Sequence, residues 1–204
     1  MNDNIHGPAM WVIDAIRKSL TGEGAGEVKA RLAHQDLSPA AAVEPEPRRL
    51  PACRYYPECV AASMFMAPDV AAALAGIEEF LHWKQNPNYS DRVLGEGYMD
   101  NYAYTELIGP SGFFPGDDFL MGLMLLGPGR LYRDHHHPAP ELYWLLTGPS
   151  EWRRADGDFT RRRAGEMIWH PAGVSHATRT LEGPLLAIWA WTMDVSEPAR
   201  LVEA

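Results

Sequence analysis

From Met10 to about Leu32 the apolar residues Trp11, Ile13, Ile16 and Leu20 recur at near-helical spacing, and Gly22-Glu23-Gly24 interrupts them. The stretch from Ser38 to Ala52 holds four prolines and predicts an extended connection rather than an element. A second helical pattern follows, with Val60, Met64, Val70, Leu74, Ile77, Phe80 and Leu81 set among alanines, until Asn86-Pro87-Asn88 ends it. After about Asp100 the period changes. Short alternating or wholly apolar runs cover Tyr102–Ile108, Phe119–Leu126, Glu141–Leu146, Glu151–Arg154, Glu166–Trp169, His176–Thr180 and Leu185–Met193. Gly, Pro and Asp clusters separate them, among them the hairpin signal Asp156-Gly157. This is the cadence of an all-β sandwich or barrel. The expected architecture is therefore mainly β: a helical N-terminal region, 1–100, packing on a β-barrel, 101–204.

Composition narrows what such a fold could do. Eighteen basic against 27 acidic residues leave a net charge of −9, which argues against a nucleic-acid partner. Two cysteines, Cys53 and Cys59, exclude a disulfide-dense scaffold and a four-cysteine zinc site. The N-terminal segment lacks the basic and apolar regions of a secretory signal. The longest apolar run, Phe119 to Leu126, falls far short of the roughly 20 residues that span a bilayer. A soluble, cytoplasmic protein with no membrane partner is expected.

Chemistry concentrates in one stretch. Five of the eight histidines, His135, His136, His137, His170 and His176, lie between residues 135 and 176. His135 and His137 leave the same face of a strand, and His136 the opposite one. Glu141 follows past Pro138-Ala139-Pro140, and His176 comes from a later hairpin. Three imidazoles and a carboxylate suit one divalent transition-metal ion: Zn, Fe(II), Mn, Co or Ni. Tyr143, two residues after Glu141, shares its strand face, and Trp189 and Trp191 share a face of the last long run.

Gly129 to Gly148 fits the first cupin motif, G-x5-H-x-H-x3-E-x6-G, at every fixed position. Gly165 to Thr180 fits the second, G-x5-P-x-G-x2-H-x3-N, except that Thr180 stands for the final Asn. The resemblance to cupins implies a single double-sheeted jelly-roll barrel with a metal inside, held by His135, His137, Glu141 and His176. Gly129, Gly148, Gly165 and Gly173 are expected at sharp turns where positive φ is cheap only for glycine.

Within the cupins, H-x-H-x3-E-x-Y with Tyr132 upstream, His176 downstream and a late tryptophan resembles the dimethylsulfoniopropionate (DMSP) lyases. Those enzymes also place a helical region before one C-terminal barrel. The resemblance implies a zwitterionic small-molecule substrate, cleaved to dimethyl sulfide and acrylate, with Tyr143 as the base. Tyr132 and Trp191 match substrate-lining positions, and Trp189 joins them as an aromatic candidate for the sulfonium. An Fe(II)-dependent dioxygenase acting on a small carboxylate or sulfur compound is the alternative, although it gives no reason for a tyrosine two residues after the glutamate. The N-terminal helices are left with the role of a lid, of the interface of a homodimer, or of both.

Overall fold

The computed structural model describes residues 3–203. Among the described residues five α-helices precede the strands: α1 (Asp3–Ser19), α2 (Ala25–His34), α3 (Tyr56–Ser63), α4 (Pro68–Ile77) and α5 (Asp91–Leu94). Helix α1 buries Ile5, Ala9, Val12, Ile13 and Ile16 along one stripe, the spacing a helix needs to cover a sheet. The helical pattern from Val60 to Leu81 is broken between α3 and α4. Pro68 has no N–H to donate and its ring clashes inside a helix, so a new helix starts there instead. No helix among the described residues is long and apolar enough to cross a membrane.

The strands are β1 (Tyr102–Ile108), β2 (Leu120–Leu126), β3 (Leu131–His136), β4 (Glu141–Leu145), β5 (Ser150–Arg154), β6 (Thr160–Arg162), β7 (Met167–His170), β8 (His176–Thr180), β9 (Leu185–Trp191) and β10 (Arg200–Leu201). They form two five-stranded antiparallel sheets, ordered β1-β2-β9-β4-β7 and β10-β3-β8-β5-β6, which make the cupin barrel. Short β6 and β10 escape pattern reading because two or three residues cannot show an alternation.

Alternation along the first sheet divides the interior in two. Leu142 and Trp144 of β4 and Leu186, Ile188 and Ala190 of β9 join α1 to α4 in one apolar core outside the barrel. Tyr143 and Leu145, with Leu185, Ala187 and Trp189, turn the other way into the barrel. Trp144 therefore packs under the helices, away from the barrel interior. Both faces are covered, which is why these strands read as nearly continuous apolar runs.

Gly129, Gly165 and Gly173 have φ of 65°, 93° and 70°, as their turn positions require. Gly148 departs from the expectation of positive φ. Its constraint is proximity, since a Cβ there would stand 3.1 Å from the backbone nitrogen of Ala164.

Candidate metal centre and cavity

His135 is the last but one residue of β3, His137 follows the strand directly, and His176 opens β8, where it pairs with His135 across the sheet. One ring nitrogen from each of the three lies within 4.8 Å of the others, and all three residues are buried. Backbone carbonyls fix the rings. His135 Nδ1 is 2.9 Å from Arg133 O, His137 Nδ1 is 2.8 Å from Ala139 O, and His176 Nδ1 is 3.0 Å from Val174 O. A carbonyl only accepts, so each Nδ1 carries the hydrogen and each Nε2 presents a lone pair. This is the arrangement that orients metal-ligating histidines.

Glu141, at the start of β4, closes the group. Its Oε2 is 2.9 Å from His137 Nε2 and 3.1 Å from His176 Nε2. With Nδ1 protonated on both rings, those contacts bring acceptor to acceptor, and the buried His176 Nε2 has no hydrogen-bond partner among the described residues. Converging lone pairs with no donor between them fit a cation, and the triad can hold a metal ion. The ionisation pattern agrees. Burial, then the proximity of His176, holds His135 well below its ordinary value, hence neutral. Burial alone would raise Glu141, but the positive charge and N–H donors that His137 and His176 present once protonated, a part that a bound cation would take over, outweigh it and hold the carboxyl well below its usual range.

Against the Glu141 side of this centre lies a cavity of about 410 Å³, lined by Glu141, Tyr143, Tyr132, Trp189 and Trp191 among others. Trp191 Nε1 donates to Glu141 Oε1 at 2.8 Å, and its ring stacks on His137 at 4.2 Å. Trp189 stands 5.8 Å from Trp191, edge to face. Tyr132 stacks on His135 with centroids 3.8 Å apart and planes within 3°, and its hydroxyl meets that of Tyr89 at 2.9 Å. Three residues apart, Tyr132 and His135 would face opposite ways on a regular strand. A register shift between them brings both inside. Tyr143 is 5% exposed, its ring 6.3 Å from that of His176. Burial first, and the Glu141 charge second, push its phenol well above the ordinary value of about 10.

His136 is exposed and takes no part in the centre, as strand alternation predicts. His170 and Glu106 were not legible as members of the site. His170, opposite Glu141 on β7, stacks on His176 at 4.0 Å and lies 6.2 Å from Trp152 on the same tilt. Both its nitrogens are buried without partners among the described residues, and burial, then His176, lowers it to about 2. Glu106 on β1 lines the cavity together with Tyr102 and Tyr104. Its only sequence signal was a lone acid inside an apolar run, Tyr102–Ile108.

The family model for DMSP lyases matches residues 25–187. The DMSP lyase DddQ of Ruegeria pomeroyi is 35% identical over 107 residues, 52% of this chain and 53% of that protein. The putative DMSP lyase DddL of Cereibacter sphaeroides is 26% identical over 124 residues, 60% of this chain and 50% of the other. The chain thus spans about half the length of the curated relatives it matches. Among solved structures, that of the R. pomeroyi DMSP lyase DddQ superposes with a TM-score of 0.72 at 23% identity, covering 98% of both chains. A structure from work on the DMSP lyases RdDddP and RnDddQII gives 0.73 at 20%, covering 97% of this chain and 98% of the other. These two show a shared fold over nearly the full length, helices included. With a family model matched across most of its residues, this chain belongs to the dimethylsulfoniopropionate lyase family.

Proposed function

We propose that this protein cleaves DMSP to dimethyl sulfide and acrylate, with Tyr143 as general base beside a divalent metal ion held by His135, His137, Glu141 and His176. One observation carries the reading: in a DMSP lyase family chain, a buried tyrosine lines an aromatic cavity together with Glu141, whose carboxylate touches His137 and His176 of a three-histidine cluster. The proton beside the substrate carboxylate passes to the Tyr143 oxygen. Its electron pair becomes the new carbon–carbon π bond, and the carbon–sulfur bond breaks with its pair leaving on sulfur. A bound divalent ion supplies Lewis acidity to the substrate carboxylate and positive charge that favours phenolate. That charge matters here because the protein alone disfavours the phenolate, through burial and the Glu141 carboxylate. Trp191 holds Glu141, and Tyr132 holds the face of His135, so both position the ligand set while lining the cavity. The apolar walls exclude water, which strengthens each of these interactions.

Headspace gas chromatography after mixing protein, DMSP and each of Mn(II), Fe(II), Co(II), Ni(II) and Zn(II) tests the activity and identifies the ion. Dimethyl sulfide and acrylate should appear in equal amounts without oxygen uptake. Tyr143→Phe should lower turnover by at least about 100-fold while metal content holds. A fully active Tyr143→Phe protein removes the base assignment.

A further inference from the structure

Cross-strand partners share a face of a sheet, so register shows what faces the cavity along with Tyr143. Tyr143 pairs with Trp189, Trp189 with Gly122, and Gly122 with Glu106. This single row runs from β4 to β1, three strand spacings or about 14 Å of backbone. Gly122 contributes no side chain, and the β1 backbone closes over it, with Thr105 O 1.9 Å from where a Cβ would stand, so Tyr143, Trp189 and Glu106 are the members of the row that line the cavity. The row has Tyr143, its ring 6.3 Å from that of His176, at one end and a carboxylate at the other.

That carboxylate is built into place. Ser111 donates to Glu106 Oε2 from its backbone nitrogen at 2.9 Å and from its hydroxyl at 2.8 Å. Lys84 Nζ donates to Oε1. A β-bulge follows Glu106, and the turn beyond it needs Gly109, whose φ is 147° and where a Cβ would stand 2.7 Å from Oε2. Glu106 lines the cavity whereas Lys84 does not; the ammonium approaches from behind, 5.2 Å over the Tyr104 ring. The cavity therefore meets the negative partner of the pair.

Resting on the reading above, we infer that Glu106 is a specificity-determining residue that receives the cationic end of a zwitterionic substrate whose carboxylate lies at the metal end. Tyr104 and Trp189, paired edge to face at 6.0 Å, supply aromatic surface beside it. The electrostatics assign this contact to binding rather than turnover. During elimination the positive charge on sulfur disappears as the carbon–sulfur bond breaks, so attraction to a fixed carboxylate is greatest in the ground state. Its removal shows in KM and leaves kcat level or raised.

The test compares DMSP with its neutral thioether analogue, 3-(methylthio)propionate, which keeps the carboxylate and lacks the charge. Glu106→Gln, which keeps hydrogen-bonding groups for Ser111, should raise KM for DMSP about tenfold and leave the inhibition constant of the thioether unchanged. Lys84→Gln, which removes the opposing charge behind Glu106, should move DMSP affinity the other way. A purely structural ion pair would make both substitutions weaken both ligands together. Equal shifts for the two ligands, a fall in kcat at constant KM, or the same sign for both substitutions each overturn the inference. Lys84→Gln carries the test alone if Glu106→Gln does not fold. Calorimetric binding of the two ligands separates this inference from the proposed activity. A protein that prefers the sulfonium but releases no dimethyl sulfide sinks only the activity. One that cleaves DMSP without that preference sinks only the role of Glu106.

Discussion

His170→Phe should stabilise the metal-free protein, and the gain should grow as pH falls. His170 is 1% exposed, and neither ring nitrogen has a partner among the described residues. Its surroundings are flat rings, His176 at 4.0 Å on one side and Trp152 at 6.2 Å on the other, and a phenyl ring can stack between them. A buried polar atom without a partner costs about 1–3 kcal/mol, so removing the two nitrogens should gain about 2 kcal/mol near neutrality. For a chain of this size that corresponds to a Tm higher by about 4–8 °C. The pH dependence follows from linkage. The folded value lies near 2, far below the ordinary 6.5, so the unfolded chain binds a proton first and stability is lost as pH falls below about 6.5. Between about pH 7.5 and about pH 5 one such histidine removes about 2 kcal/mol, whatever its folded value as long as it stays well under 5. His135 titrates in the same direction, but it is present in both proteins and cancels. Urea unfolding at the two pH values, followed by fluorescence, gives the difference directly. If the gap between wild type and variant is the same at both, His170 is protonated in the folded chain and the account of its burial is wrong.

Trp191→Phe keeps a ring on His137 but removes the indole N–H that holds Glu141 Oε1 at 2.8 Å. Metal affinity, read by competition with a coloured chelator, should fall about tenfold with little change in Tm. Gly24→Ala places a methyl 2.2 Å from a Trp169 ring carbon at a φ of 75° and should cost about 2 kcal/mol or more in urea unfolding. Exhaustive chelation should abolish dimethyl sulfide release without unfolding the barrel, measured by circular dichroism. Activity should return on adding back one divalent ion.

The histidine cluster was legible because its residues obey rules that act within a few positions. A spacing of two keeps His135 and His137 on one face, Pro138 and Pro140 mark the turn into β4, and the positive-φ Gly173 marks the turn that brings β8 against them. Tyr143 was legible for the same reason, two residues after Glu141. Tyr132 defied that rule, since alternation alone sends it away from His137. Only a register shift, which depends on how β8 pairs with β3, turns it onto His135. His170 and Glu106 needed more still. On their own strands they are a histidine before a proline and an acid among apolar residues, and neither pattern states a purpose. Their meaning appears when β7 is laid against β4, so that His170 faces Glu141, and when β1 is joined through β2 and β9 to β4, so that Glu106 faces Tyr143 along one row. The local code thus places groups that share a strand or a hairpin. Charges that act across the cavity are set by sheet order, which the sequence encodes only through the whole fold.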